Sequence, residues 1–211
     1  MASELRVDRI IPVNGVPTGG GGGVIQVKTT NFNDNLSYGS ADGSGQSLDG
    51  GFSVIPSETY VNITSIGENS KFLIIFSGNA SSSTDIIYGD WIGGFGFVVD
   101  PAGGTSWTRI GSGANTASTN NVKFFSSRAD AGATGNDSWH KISLSGNFLY
   151  SSSVASGTSM RFGIEYFHYD HSNHETLYIN RAAHALTSSS GGTQSYSGAN
   201  ATSITVMEIS G

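Results

Sequence analysis

The 211-residue chain carries a formal net charge of −6, with only 12% charged residues, 30 glycines and no cysteine. That excludes a disulfide scaffold, a thiolate metal site and a cysteine nucleophile. Without a cluster of Lys and Arg to neutralise phosphates, it also excludes a nucleic-acid partner.

The N-terminal stretch, residues 3–27, sets the plan. Leu5-Arg6-Val7-Asp8 alternates apolar and polar, the period of a half-buried strand. Pro12-Val13-Asn14-Gly15-Val16-Pro17 is turn chemistry, since proline fixes φ and Asn-Gly suits positive φ. Five consecutive glycines, residues 19–23, then hold no conformation of their own. A second alternation starts at Val24-Ile25-Gln26-Val27. The expected organisation is an attachment segment at 1–18, a glycine hinge at 19–23 and a β domain at 24–211. The attachment segment would dock through Leu5, Val7, Ile10 and Ile11, because so short a piece must bury its apolar side against something else. Residues 1–18 lack an apolar signal-peptide core, and no run approaches the ~20 apolar residues that span a bilayer. No membrane insertion is expected.

Residues 29–57, rich in Asn, Asp, Gly and Ser, predict one or two short strands between long loops. Residues 59–66 alternate, and Val61 and Ile63 form the side to be buried. Residues 71–76 are apolar on both sides, which predicts a central strand covered twice. Residues 91–99 repeat that character, interrupted by Gly93, Gly94 and Gly96, which mark bulges or close backbone approach. A turn follows at 100–104, then short strands at 106–110 and 122–127 around a polar loop. Residues 139–150 alternate, with His140, Ile142 and Leu144 on one side. Residues 160–169 put Met160, Phe162, Ile164 and Tyr166 on one side, and residues 177–180 are positioned to pair back on them as a hairpin. Residues 187–200 form a Ser/Gly/Thr loop, and residues 204–209 close the sheet. Many short strands without a helical period predict an all-β fold, an antiparallel β-sandwich of jelly-roll type. Strands apolar on both sides exceed the need of one two-layer protomer, and packing about a trimer axis accounts for the excess.

Ser3-Glu4-Leu5-Arg6-Val7-Asp8-Arg9-Ile10, Asn14-Gly15, the glycine run and Val24-Ile25-Gln26-Val27 together resemble the start of many virion fibre proteins of tailed phages, cyanophages in particular. Ala201-Thr202-Ser203-Ile204-Thr205-Val206-Met207-Glu208-Ile209 is similar to the last strand of the β-rich tip domain in such proteins. The two matches cover about a sixth of the chain. The resemblance implies a homotrimeric structural protein of the virion, made in the host cytoplasm. Its N-terminus would contact other virion proteins. The resemblance supplies no ligand and no catalytic residue; a β domain that faces outward and binds a host-surface glycan is the working hypothesis built on it. A capsid fibre or decoration protein shares the layout, and an enzyme acting on polysaccharide is the alternative from another class.

The densest chemical stretch is His168-Tyr169-Asp170-His171-Ser172-Asn173-His174-Glu175. As a recognition loop, Tyr169, Asp170, His171 and His174 would offer flat rings and hydrogen bonds to a sugar, with Trp139 as a further aromatic platform. As a metal site on a threefold axis, one of His168, His171 or His174 would supply three ligands. As neither, the stretch is a solvated hairpin tip. Catalysis lacks a frame. There is no Gly-x-Ser-x-Gly elbow, and Glu165 has no identifiable carboxylate partner for glycoside hydrolysis. No enzyme activity and no cofactor are expected.

Overall fold

Val61 and Ile63 are each 2% exposed, while Asn62 and Thr64 beside them lie in solvent. That period of two, imposed by the pleat, recurs along most described strands. The computed structural model describes residues 23–39, 46–48, 51–82, 90–110, 125–130, 142–169, 176–180, 186–187, 193–194 and 201–211. Among these residues the structure is antiparallel β-sheet, and the only helical piece is a 3-10 turn at Ser57–Thr59. None of the described helices is long and apolar enough to cross a membrane.

One sheet is built on β6 (Lys71–Ser82). β10 (Ile142–Ser151) pairs along one edge of it; β15 (Thr202–Ile209) and β12 (Thr176–Ile179) lie in line along the other. β1 (Val24–Phe32) and β2 (Leu36–Gly39) continue outward from β15 and β12. The second sheet is built on β11 (Ser159–Tyr169) and β7 (Asp90–Asp100). β4 (Gly51–Val54) and β5 (Val61–Thr64) share the free edge of β11, with β3 (Gln46–Leu48) outside β4. β8 (Thr108–Ile110) and β9 (Phe125–Asp130) share the free edge of β7. A two-residue pair, β13 (Leu186–Thr187) with β14 (Thr193–Gln194), stands apart.

Rings from the two sheets meet in one core. Phe72 lies 5.4 Å from Phe162 and Phe76 lies 4.5 Å from Phe95, with Tyr166 edge-on to Phe76. Phe97 stacks with Phe148 and Tyr150 meets Phe162. Such pairs add about 1 kcal/mol each beyond the area they bury.

Both sheets contain a broken column, and in both a polar side chain closes the break. β4 and β5 leave the Ile164 N–H of β11 unpaired between them, and that N–H donates to Thr59 Oγ1 at 3.2 Å. Thr59 in turn donates to the Pro56 carbonyl at 2.7 Å, which fixes the 3-10 turn in the gap. In the other sheet the gap between β15 and β12 holds Asn180, buried and at φ +63°. Its Nδ2 donates to the carbonyls of Phe32 and Asp34, and its Oδ1 accepts from Thr202 Oγ1 at 2.8 Å. Asn is the non-glycine residue best suited to that left-handed backbone.

Three expectations change. Residues 177–180 do not form a hairpin with 160–169: both edges of β11 are occupied by β4, β5 and β7, and β12 pairs with β2 and β6 in the other sheet. Residues 204–209 do not close their sheet, because β1 adds outside β15. Residues 29–57 hold four strands or parts of strands rather than one or two. The predicted turn at 100–104 is present. Asp100 accepts from the Ala102 and Ser106 N–H groups at 2.8 and 2.6 Å, and Gly103 takes φ +70°.

Candidate functional site

Of the predicted site residues, His168 and Tyr169 are among those the structure describes. His168 and Tyr169 end β11 opposite Phe52 and Gly51. Asp170, His171, His174, Trp139 and the attachment residues Leu5, Val7, Ile10 and Ile11 lie outside the described residues. Among the described residues no group of His, Asp and Glu is placed to hold a metal ion.

Among the described residues three carboxylates are buried: Asp100, which caps its own turn, Glu165 and Glu208. Glu165, 4% exposed, points to the outer side of the second sheet and takes a bidentate pair from Arg109, at 2.5 and 2.6 Å. The partner that the sequence left unidentified is therefore a cation, and the two groups make no acid/base pair. The same interaction raises the Arg109 pKa, through the hydrogen bond to Glu165 first. Glu208, fully buried on β15, has no cationic partner among the described residues. It accepts from Gln26 Nε2 at 2.5 Å, Ser70 Oγ at 2.7 Å, the Ile66 and Gly67 N–H groups at 2.9 Å and Ser65 Oγ at 3.2 Å. Burial alone would raise its pKa; those donors outweigh burial and hold it below the usual carboxylate range. With its lone pairs spent on the 65–70 turn, Glu208 is a staple rather than a reagent.

Two surfaces remain. The first is the outer face of the β6 sheet. Register places Val24, Ile209, Lys71 and Ser151 in one row across β1, β15, β6 and β10. The next rows are Val27, Met207, Leu73 and Leu149; Thr29, Thr205, Ile75 and Asn147; and Asn31, Ser203, Ser77 and Ser145. Lys71 is the only charged residue in these rows. Val27, Leu149 and Ile75 are 50%, 49% and 40% exposed. Apolar side chains gather at the Val24 end, and hydroxyls and amides at the other. Residues 71–76 are thus apolar on both sides, as expected, but among the described residues only the inner side is covered.

The second surface is a cleft of about 390 Å³ at the open edge between the sheets, where β1 faces β5. Gln26 and Lys28 line it from β1, Asn62 and Thr64 from β5, and Ser159 from β11. Its walls are braced. Arg161 donates through Nε to Asn62 Oδ1 at 2.8 Å and through Nη1 to the Gly104 carbonyl at 2.7 Å. The same guanidinium lies over the Tyr60 ring at 5.1 Å, and Trp107 packs against Tyr60 at 4.9 Å. No local sequence pattern marks this cleft, because it draws on three strands distant in the chain.

No protein-family model matches the chain, and neither does any curated protein sequence.

Proposed function

We propose that the chain is a virion structural protein, a tail fibre or spike without enzyme activity. In this reading its N-terminus docks to the particle and its jelly-roll-like β-sandwich stands outward as a homotrimer that contacts a host-surface glycan. The observation that carries the reading is the outer face of the β6 sheet, which no described segment covers. A face with one charge in four rows and three half-exposed aliphatic side chains has the composition of the centre of an interface, where charged residues are depleted. Beyond Lys71 at one end, the face is also self-compatible, since copies meet there without like-charge repulsion. The number three comes from the resemblance of residues 3–27 to phage fibre proteins. The glycine run supports the tethered layout, because β1 starts directly after it at Val24.

The test is the mass in solution at micromolar concentration, by sedimentation or light scattering. The expected value is three times the 21.9 kDa chain. A single-chain mass would overturn the homotrimer. Electron microscopy of labelled particles then separates a tail location from a capsid fibre or decoration protein.

A further inference from the structure

We infer that the cleft between β1 and β5 is a subsite for a carboxylate-bearing sugar, with Lys28 as the anion contact. The inference rests on reading the chain as a glycan-contacting attachment protein, and it names the class of glycan and the residues that hold it.

The first argument is hydrogen-bonding capacity. Arg161 donates to Asn62 Oδ1, which fixes the orientation of that amide and leaves its NH₂ as a donor toward the cleft. Gln26 spends its Nε2 on the Thr64 carbonyl and on Glu208, which leaves its Oε1 as an acceptor. Thr64 and Ser159 add hydroxyls that lie 3.5 Å apart. An amide donor, an amide acceptor and two hydroxyls on braced walls make a preorganised set for a polyhydroxylated ring. The cleft volume falls in the range of small-ligand sites.

The second argument is charge. Lys28 sits on an inward-facing register position of β1, opposite Val206, but β1 is the sheet edge, so the side chain stays exposed and lines the cleft. Among the described residues it forms no ion pair. Among the described residues no carboxylate lines the cleft. The two nearest by connection are spent: Glu208 on its donors, Asp100 on its own turn. On a chain of net charge −6, the cleft therefore carries a positive site with no counterion among the described residues. A neutral sugar would leave that ammonium unpaired, whereas a uronate carboxylate pairs with it while its hydroxyls meet Asn62, Thr64 and Ser159. An inward lysine on an edge strand also discourages strand addition. That role needs charge alone and gives Thr64 and Ser159 no part.

The experiment titrates the full chain with an oligogalacturonate and with a neutral cello-oligosaccharide of equal length, by calorimetry. Variants Lys28→Gln and Thr64→Val are run alongside. The acidic oligomer is expected to bind saturably, about tenfold more tightly than the neutral one, as one charge-assisted hydrogen bond provides. Lys28→Gln should abolish most of that difference, and Thr64→Val should weaken binding severalfold without changing the preference for acid. Absence of saturable binding, equal binding of the neutral oligomer, or no effect of either variant would overturn the subsite. Mass is measured on the same samples. A trimer that binds nothing removes the subsite and leaves the fibre reading; a single chain that binds the acidic oligomer does the reverse.

Discussion

The outer sides of the two sheets start from similar strands and end differently. β6 and β11 are both apolar on their inner faces, and both carry the central register of their sheets. Outside β11 the protomer covers itself. Glu165 is paired with Arg109, and Gly163 leaves room for Ile55 and Trp107, each 3.3 Å from where its Cβ would stand. Val98 is buried there too, at 1% exposure. The segment 100–107, bent by Asp100, carries Trp107 back over that face. Outside β6 no described segment returns, and Ile75 and Leu149 stay in solvent. The difference teaches that apolar character on both sides of a strand does not say what covers the outer one. Cover can come from the chain's own loop or be left to another copy, and only the second is a surface for assembly.

The contrast extends to Glu165 and Glu208, and the larger effect belongs to Glu208, which pairs with no cation among the described residues. Glu208→Ala is expected to destabilise by about 4 kcal/mol, because it strands several buried donors at once. Glu208→Gln should cost less, since one oxygen still accepts. The pH dependence follows from its lowered pKa. A carboxyl held below its unfolded value stabilises the protein above the ordinary carboxylate range, and that contribution is lost as pH falls through the folded value. Urea unfolding from pH 7 downward should therefore show an acid-side loss in the native protein that shrinks in Glu208→Gln. An equal acid-side loss in both would remove Glu208 as its source.

Glu165→Ala should cost less, about 2 kcal/mol, because Arg109 is partly exposed and can regain water. A double-mutant cycle with Arg109→Ala isolates the pair from whatever else each side chain touches. Coupling near zero would mean that Glu165 is buried by its neighbours without being held by them, and the outer cover of β11 would then rest on Trp107 and Ile55 alone.

What the sequence made legible is what repeats locally. The Val61/Ile63 side, the inward row from Met160 to Tyr166 and the turn at Asp100 follow from periods of two and from turn residues, and the described strands agree with them. Pairing partners were not legible. The hairpin expected between 160–169 and 177–180 fails because the edges of β11 are filled by strands from far earlier in the chain, which local pattern cannot register. Glu165 and Arg109 are 56 residues apart, so their pair left no mark. Glu208 did leave one: it continues the inward row of Ile204 and Val206, and an acid at a buried position demands partners. Asn180 and Thr59 were missed because their work is to close gaps, which exist only once the strands are assembled. The recognition stretch at 168–175 was chosen for its density of rings and charges; the cleft at Lys28 has no such density and arises from three separate strands.

The smallest stability effect is the sharpest test of the comparison. Ile75→Thr with Leu149→Thr replaces two exposed aliphatic side chains on β6 and β10 by a residue that keeps strand propensity. Within one protomer each change should lie within about 0.5 kcal/mol, as for surface positions without a specific partner. In an oligomer joined through this face the same pair removes apolar area from its middle, and dissociation should move to much higher protein concentration. The measurement is sedimentation over a dilution series, with far-UV circular dichroism as the check that the strands persist. A native-like spectrum with a single-chain mass places the contact on the outer face of β6. A native-like spectrum with an unchanged oligomer mass moves the contact elsewhere, and the exposed row would then be ordinary surface. The matched control is Gly163→Val on the self-covered side. It should destabilise the protomer by forcing Ile55 and Trp107 apart, yet leave the remaining folded fraction at the native oligomer mass. If the control dissociates the oligomer while the Ile75/Leu149 variant does not, the roles of the two outer faces are reversed.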